Sequence, residues 1–317
     1  MKAVILDGAT MGADIDFTPI KNICETVIFP STAPELVSER IADADAVIVN
    51  KINLMGEVLS AAERLKLICV FAVGYNNIDI EYCRSHGISV RNVPGYCTES
   101  VCQHTFALLF ALIEKLSYYD NFVKSGAYSR SGTANHLGKP FDEISGMNWG
   151  IIGMGSIGRR VADCAAAFGA NVSYSSVSGA VRKENYPCVP LETLLKNSDI
   201  LTVHAPLNEK TKALIGEKEL SMMKRTAVIV NVGRGAITDE AALANAVSGG
   251  IIAGAAIDVF AEEPLGADSP LLNIPGERVV FSPHIAWASV SARLRCIEMT
   301  ADNIKTFING EKHNDVC

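Results

Sequence analysis

Three ionisable side chains that could support catalysis, Arg234, Glu263 and His284, each follow a predicted strand in the second half of the chain. An arginine can bind a carboxylate through paired N–H groups, a histidine can transfer a proton near neutral pH, and a carboxylate can orient a histidine ring. Considered singly, these residues are more typical of a helix cap, a solvated loop and a buried core position. The carboxyl ends of parallel strands meet at one edge of a sheet, so the three together indicate a ligand site.

A glycine-rich turn with the sequence Gly-Met-Gly-Ser-Ile-Gly occupies residues 153–158. A short apolar segment precedes it and an Ala-rich segment of helix length follows it, which gives the order strand, G-x-G-x-x-G turn, helix. In that arrangement Gly153 permits a tight turn, Gly155 lets the backbone approach a pyrophosphate, and Gly158 lets the helix pack close to the strand. The N–H groups and the positive dipole at the helix start bind phosphates. The pattern therefore predicts a dinucleotide-binding unit.

The composition is typical of a globular protein of about two domains. Of the 317 residues, 49% are hydrophobic and 20% are charged, and the formal net charge is −7. The acidic balance argues against nucleic acid as a partner, and no apolar run is long enough to span a membrane. The nine cysteines form no C-x-x-C pair, which argues against a zinc site or a disulfide framework. We therefore expect a cytoplasmic protein that binds no metal, no nucleic acid and no membrane.

Short β-like runs alternate with helical runs along most of the chain, which predicts parallel sheets covered on both faces. The predicted strands are residues 4–6, 46–49, 67–71, 88–91, 147–152, 171–175, 200–204, 227–231, 253–258 and 279–281. The predicted helices are residues 34–42, 59–65, 80–86, 99–119, 159–169, 191–196, 217–223, 239–248 and 288–309. The alternation is interrupted at Pro94-Gly95 and at Ser282-Pro283. The predicted fold class is α/β, with two doubly wound parallel-sheet domains and a cleft between them.

Several ordered motifs resemble those of the D-isomer-specific 2-hydroxyacid dehydrogenases, and the resemblance covers almost the whole chain. The motifs lie at residues 72–79, 153–158, 203–207, 231–235, 258–264 and 282–285. Asn50-Lys51 and residues 117–131 most resemble the hydroxypyruvate reductase and glycerate dehydrogenase branch. The resemblance implies a Rossmann-type cofactor domain, residues 96–283, inserted in a flavodoxin-like substrate-binding domain formed by residues 1–95 and 284–317. It also implies a homodimer that pairs through the cofactor domain.

The same resemblance implies hydride transfer between a nicotinamide cofactor and a small 2-keto or D-2-hydroxy acid. Hydroxypyruvate and glyoxylate are the expected substrates, with D-glycerate oxidised in the reverse direction. The nicotinamide supplies the hydride, so the protein must position, polarise and protonate the carbonyl group. On this expectation Arg234 binds the substrate carboxylate and carbonyl oxygen, His284 donates the proton, and Glu263 orients the histidine ring.

Further residues are expected, on the same resemblance, to contact the substrate or the cofactor. The backbone amides of Val73 and Gly74 would bind the substrate carboxylate. Asn50 and Lys51 would add polar contacts and positive charge. The expected cofactor-binding residues are Gly153, Gly155, Ser156, Ile157, Gly158, Ser175, His204, Pro206, Thr211, Val232, Gly233, Arg234, Asp258, His284 and Trp287. Among these, His204 is expected to pack in the adenosine pocket without transferring a proton.

The expected cofactor is NAD, and NADP stays open because the chain departs from the family pattern at one position. Ser175 stands at the end of the second strand of the cofactor domain, where an acidic residue normally binds the adenosine ribose. Arg182 and Lys183 follow a few residues later and could approach a phosphate if the intervening loop folds inward. Trp287 replaces a small residue after the histidine motif, where it could narrow the pocket or cover the nicotinamide.

Two other functions are compatible with the same fold, because a fold does not determine a function. A non-catalytic, NAD(H)-sensing corepressor would retain the cofactor motifs, so turnover is the property that separates it from an enzyme. A dehydrogenase for formate or phosphite is disfavoured, because those relatives carry extended N-terminal segments or different substrate-loop residues.

Overall fold

In the computed structural model, which describes residues 1–177, 179 and 184–317, the chain forms two compact units. Unit 1 comprises Met1–Cys97 and Trp287–Cys317, and unit 2 comprises Thr98–Ala286. The breaks predicted from the sequence lie after residues 95 and 283, whereas the two units divide after Cys97 and after Ala286. His284 was expected in the substrate-binding domain but lies in unit 2, where its amide donates to the Asp258 carbonyl at 2.7 Å.

The bounds of the regular elements are as follows. The strands are β1 (Lys2–Ile5), β2 (Glu25–Ile28), β3 (Ala46–Val49), β4 (Leu67–Val70), β5 (Ser89–Arg91), β6 (Asn148–Ile152), β7 (Asn171–Ser175), β8 (Ile200–Val203), β9 (Val228–Asn231), β10 (Gly254–Ile257) and β11 (Val279–Phe281). The helices are α1 (Thr18–Lys21), α2 (Val37–Ile41), α3 (Gly56–Leu59), α4 (Ile80–Ser85), α5 (Thr98–Ile113), α6 (Leu116–Lys124), α7 (Ala127–Ser131), α8 (Ser156–Ala167), α9 (Leu191–Asn197), α10 (Glu217–Met222), α11 (Glu240–Ser248) and α12 (Val290–Ile308).

Unit 1 contains a five-stranded parallel sheet in the order β2-β1-β3-β4-β5. Strands β3 and β4 are continuous apolar runs, and all their residues are buried, as expected for a sheet covered on both faces. From β1 the strand order proceeds to one edge of the sheet, and from β3 it proceeds to the other edge. Ligands of doubly wound sheets bind at such a switch point. Asp7 and Asn50 follow these two strands, so both lie at the predicted ligand-binding edge.

Unit 2 contains a six-stranded parallel sheet in the order β11-β10-β9-β8-β6-β7. A single parallel bridge between Cys188 and Tyr174 extends the sheet beyond β7. The winding reverses between β6 and β8, and the glycine-rich turn follows β6 at this point. The two sheets confirm the predicted α/β class with two doubly wound parallel-sheet domains. None of the described helices is long and apolar enough to cross a membrane.

Helices α1 and α7 were not predicted, and three further elements differ from the sequence prediction. Strand β2 was missed because it is an edge strand without a fully buried residue, so its alternation is weak. The predicted helix over residues 99–119 is divided into α5 and α6 at Lys115, whose φ of 55° interrupts the helical path. The predicted helix over residues 59–65 is instead the short helix α3, which begins and ends earlier.

Candidate active site

The glycine-rich turn joins β6 to α8 and has the geometry of a phosphate site. A Cβ atom placed on Gly153 would lie 2.7 Å from the amide nitrogen of Ala205, and one on Gly158 would lie 2.2 Å from the Gly153 oxygen. Both positions therefore require glycine for packing. A Cβ on Gly155 would meet no atom of the described residues within 4 Å, so among them the space beside this position is open. The residues present thus fit a bound pyrophosphate, with Ser156 and Ile157 at the start of α8.

Substituting alanine at Gly155 or at Gly158 is expected to separate cofactor binding from stability. Gly155→Ala adds a methyl group in open space, so the melting temperature should be unchanged while the Kd for NADH rises by about tenfold or more. Gly158→Ala creates an overlap with the Gly153 carbonyl and should lower the free energy of unfolding by about 1–3 kcal/mol. Fluorescence titration and thermal melting measure the two effects. A Gly155→Ala protein that binds NADH with wild-type affinity would contradict this description of the turn.

The residues expected around the adenosine lie after β7 and β8. Ser175 ends β7 and is 6% exposed, and its carbonyl accepts the Gly153 amide at 3.2 Å. Thr211 is buried, and its hydroxyl donates to the Pro206 carbonyl at 2.7 Å, so it fixes the loop that carries Pro206. Arg182 and Lys183 lie outside the described residues. The structure thus places Ser175, Pro206 and Thr211 at or after the carboxyl ends of β7 and β8.

His204 directly follows β8 and packs beside the glycine-rich turn. Its carbonyl carbon would lie 2.9 Å from a Cβ on Gly153. Both ring nitrogens are buried and have no hydrogen-bond partner among the residues that the structure describes. Burial lowers the pKa of His204 to about 3, so the imidazole is neutral at physiological pH. The role expected for His204 in the adenosine pocket stays a prediction.

The loop that carries Arg234 is fixed by the side chain of Asn231, the last residue of β9. Its Oδ1 accepts the Gly233 amide at 3.1 Å, and its Nδ2 donates to the Arg234 carbonyl at 3.1 Å. The guanidinium of Arg234 donates from Nη1 to the Gly233 carbonyl at 2.8 Å and is half-buried. Val232 is buried in the same loop. Asn231 was part of a recognised motif, but the sequence analysis assigned it no role.

The Arg234 loop packs directly against the loop that leads to Glu263. A Cβ on Gly235 would lie 1.9 Å from the carbonyl carbon of Phe260, so only glycine permits this approach. The Phe260 amide in turn donates to Glu263 Oε1 at 3.1 Å. The two loops that carry the predicted arginine and glutamate are therefore in contact within unit 2.

Glu263 and His284 form a direct hydrogen-bonded pair. Glu263 Oε2 lies 2.6 Å from His284 Nδ1, with side-chain exposures of 33% and 24%. Because a carboxylate only accepts hydrogen bonds, the Nδ1 atom carries the proton of this bond. The Nε2 atom is then the ring nitrogen that can exchange a proton with a ligand. His284 has a φ of 55°, a left-handed conformation held by its backbone hydrogen bond to Asp258.

Asp258 follows β10 and is completely buried. Its carboxylate accepts the amides of Ile285 and Ala286, each at 2.9 Å, and the Ser282 hydroxyl at 2.5 Å. A carboxylate offers about four acceptor positions, so three donors leave one for a further donor. Asp258 therefore fixes the residues on both sides of His284, and His104 Nε2 lies 3.6 Å from its Oδ1 atom.

In unit 1 the expected substrate residues lie after adjacent strands β3 and β4. The amides of Asn50 and Lys51 donate to the Asp7 carboxylate at 2.9 and 2.7 Å, and burial raises the pKa of Asp7. Neither Val73 nor Gly74 donates its amide to another described residue, so both donors are available. Asp7 was missed by the sequence analysis, since a single aspartate after a strand carries no distinctive signal.

Asn77 connects the two segments of unit 1 that carry the expected substrate residues. Its Nδ2 donates to the Ile52 carbonyl at 2.8 Å, just after Lys51.

Trp287 also belongs to unit 1, where its ring lies edge-on to Tyr96 with centroids 6.4 Å apart. Over residues 1–177, 179 and 184–317, no group of three or more His, Cys, Asp or Glu side chains is arranged to hold a metal ion.

Comparison with known proteins places this geometry in a family. The model of the D-isomer specific 2-hydroxyacid dehydrogenase NAD binding domain matches residues 106–286. The chain belongs to the D-isomer-specific 2-hydroxyacid dehydrogenases. It is 40% identical to a glyoxylate reductase from Korarchaeum cryptofilum over 87% of this chain and 83% of that protein. It is 32% identical to a hydroxypyruvate reductase from Blautia hydrogenotrophica over 100% of this chain and 99% of that protein.

Solved structures show the same similarity. An NADPH-dependent glyoxylate/hydroxypyruvate reductase from Sinorhizobium meliloti, in complex with NADP and malonate, has a TM-score of 0.86 at 28% identity, covering 100% of this chain and 96% of that one. A D-lactate dehydrogenase from Aquifex aeolicus, complexed with NAD and lactic acid, has a TM-score of 0.86 at 28% identity, covering 100% and 99%. These findings confirm the predicted family, an oxidoreductase activity and a nicotinamide cofactor. They do not favour the corepressor alternative.

Proposed function

We propose that the protein reduces hydroxypyruvate and glyoxylate with NADH and oxidises D-glycerate in the reverse direction. The observation that carries this proposal is the hydrogen bond of 2.6 Å between His284 and Glu263, formed in the unit that also holds Arg234 and the glycine-rich turn. The relatives named glyoxylate reductase, hydroxypyruvate reductase and glycerate dehydrogenase support this substrate class.

In the proposed reaction, the carbonyl group of the 2-keto acid becomes a secondary alcohol. The bound nicotinamide supplies the hydride, and the protein supplies the proton and the orientation. Arg234 binds the substrate carboxylate and carbonyl oxygen through its planar set of N–H donors. His284 donates the proton to that oxygen from Nε2, while Glu263 keeps the ring oriented through Nδ1.

The other predicted site residues are assigned to binding. We propose that the amides of Val73 and Gly74 bind the substrate carboxylate, and that Asn50 and Lys51 bind its far end. The cofactor would be held by the glycine-rich turn at its pyrophosphate, and by the residues after β7 and β8 at its adenosine. The nicotinamide riboside would contact the residues after β9, β10 and β11. The proposed cofactor residues are Gly153, Gly155, Ser156, Ile157, Gly158, Ser175, His204, Pro206, Thr211, Val232, Gly233, Arg234, Asp258, His284 and Trp287.

We propose NAD rather than NADP as the physiological cofactor. The two arginines that directly follow the glycine-rich turn in sequence are both paired with carboxylates. Arg159 Nε donates to both carboxylate oxygens of Glu184 at 3.0 Å, and Arg160 Nε donates to Glu99 at 2.9 Å. A guanidinium group that is already paired with a carboxylate attracts an adenosine 2′-phosphate less strongly, because the carboxylate offsets its positive charge. This pairing supports NADH as the better hydride donor.

Initial rates with both cofactors across a panel of 2-keto acids test the substrate and the cofactor together. We expect hydroxypyruvate and glyoxylate to give a higher kcat/KM than pyruvate, and NADH to give a higher value than NADPH. A higher kcat/KM with NADPH would overturn the cofactor proposal alone. Binding of NADH without reduction of any 2-keto acid, with either cofactor, would overturn the proposed reaction and favour a sensor.

We also propose that the protein is a cytoplasmic homodimer that pairs through unit 2. Support for pairing comes from exposed apolar side chains on α6 and the segment that follows it. These are Leu116, Val123, Tyr128, Leu137 and Phe141, and Leu137 is 85% exposed. All nine cysteines are free thiols, which supports a reducing compartment. Leu137→Glu should convert a dimer into a monomer in sedimentation velocity, and a wild-type monomer would contradict the proposed pairing.

A further inference from the structure

Helix α5 holds the histidine loop, residues 282–286, at two points one helical turn apart. Ser100 donates from Oγ to the Ala286 carbonyl at 2.7 Å, and His104 Nε2 lies 2.9 Å from Ser282 Oγ. Residues four apart on a helix lie on the same face, so this face of α5 contacts both ends of the loop. His284 lies between these two contacts.

The direction of each hydrogen bond in this network follows from the donors available. Ser282 Oγ lies 2.5 Å from Asp258 Oδ1, and the Asp258 carboxylate can only accept. The single hydroxyl proton of Ser282 is therefore donated to Asp258. His104 Nε2 must then carry a proton and donate it to Ser282 Oγ. The result is a chain of two hydrogen bonds that runs from α5 through Ser282 to a fully buried carboxylate.

This chain ends on the group that shapes the active site. Asp258 accepts the amides of Ile285 and Ala286, and its carbonyl accepts the amide of His284. If His104 did not donate, the Ser282 hydroxyl could rotate away from Asp258 and donate elsewhere. The carboxylate would then lose its shortest hydrogen bond and with it part of its fixed orientation.

We propose that His104 is a positioning residue for cofactor binding and catalysis. It acts through Ser282 on Asp258, which is the proposed nicotinamide contact, and on the backbone that holds His284. Its role is to donate one hydrogen bond to Ser282 Oγ, and its Nε2 atom also lies 3.6 Å from Asp258 Oδ1. His104 lies in α5, outside the segments whose sequence patterns predicted the site.

Substitution at position 104 separates a hydrogen-bonding role from a packing role. His104→Leu removes the donor, and His104→Gln restores an N–H group on a side chain of similar reach. We expect the leucine variant to raise the Kd for NADH and to lower kcat by about tenfold each. The glutamine variant should recover both to within a few-fold of the wild type. Gln103→Leu, an exposed position in the same helix, is the matched control and should change neither.

Ser282→Ala tests the relay without altering α5. It should reproduce the loss seen in His104→Leu, and the double variant should be no worse than either single variant, because both interrupt one chain. Additive losses would overturn the relay. Wild-type Kd and kcat in His104→Leu, or equal impairment in His104→Gln and His104→Leu, would overturn the positioning role. If the leucine variant does not fold, the glutamine and Ser282→Ala variants decide the question.

The inference rests on the proposed roles of Asp258 and His284. The experiment distinguishes failure of the proposed reaction from failure of the role assigned to His104. The Kd for NADH is measured by fluorescence titration without any 2-keto acid. If the protein binds NADH but reduces no substrate, the proposed reaction fails, while the comparison of Kd values still supports or overturns the role of His104.

Discussion

Replacing His284 with alanine is expected to lower kcat for reduction of hydroxypyruvate by about 10²–10⁴, the usual contribution of a positioned general acid. The imidazole is fixed on one side by the hydrogen bond to Glu263 at 2.6 Å, so its Nε2 atom is available for proton transfer. The Kd for NADH should change much less, because the glycine-rich turn is intact. Stopped-flow and steady-state rates with the purified variant, together with NADH titration, measure both quantities.

Two further variants define what the loss at His284 means. Glu263→Gln retains an acceptor for the Nδ1 proton but removes the negative charge, so it should show a smaller loss than His284→Ala. His313→Ala, an exposed histidine in unit 1, is the control for loss of an imidazole and should keep the wild-type kcat. A His284→Ala protein with more than half of the wild-type kcat would show that the proton comes from another group.

Arg234→Ala is expected to lower kcat/KM for hydroxypyruvate by about 10²–10³, the effect typical of losing one preorganised donor to a developing oxyanion. The backbone of this loop is held by Asn231 and packed against Phe260, so the substitution removes the guanidinium without releasing the loop. Arg234→Lys should recover part of the loss only, because an ammonium group cannot form the paired, planar contact with a carboxylate.

The control for Arg234 is another arginine in the same unit. Arg225 lies before β9, at the opposite end of the strand, and its Nε donates to the Gly250 carbonyl at 3.3 Å. Arg225→Ala should leave kcat/KM unchanged. If Arg234→Lys were as active as the wild type, a single positive charge would be sufficient for substrate binding. The proposed paired contact between the guanidinium and the substrate carboxylate would then be wrong.

Local sequence patterns were sufficient to predict the two sheets. Strands β3, β7 and β11 have the bounds that were predicted, because buried parallel strands are short apolar runs between turn residues. The edge strand β2 was missed, because its half-exposed residues give no such run. The end of α5 was missed too, since the left-handed Lys115 is not a glycine and no local pattern indicates it.

The site was predictable to the extent that it consists of recognisable motifs. Glu263 and His284 come together as the resemblance implied, although they are distant in sequence. Asp7, Asn231 and His104 were assigned no role, because each acts by fixing the backbone or a hydroxyl group of another loop. Such contacts depend on the three-dimensional course of the chain, and the type and spacing of the residues carry no sign of them.

The domain boundary near His284 could not be predicted from the sequence either. The Ser282-Pro283 sequence suggested a break before the histidine, but Asp258 accepts the amides of the two residues that follow it. These hydrogen bonds keep the histidine with β10 and β11 rather than with α12. The arginine, glutamate and histidine that we propose as catalytic residues therefore all belong to unit 2.

Isotope transfer from the cofactor to the product tests the central proposal most directly. Hydroxypyruvate would be incubated with NADH that carries two deuterium atoms at C4 of the nicotinamide, so that either face delivers a label, and the glycerate formed would be analysed by NMR and chiral chromatography. The account predicts D-glycerate with deuterium at C2, in equal amount to the NADH oxidised, and almost none with His284→Ala. Formation of L-glycerate, or oxidation of NADH without deuterium in the product, would contradict it.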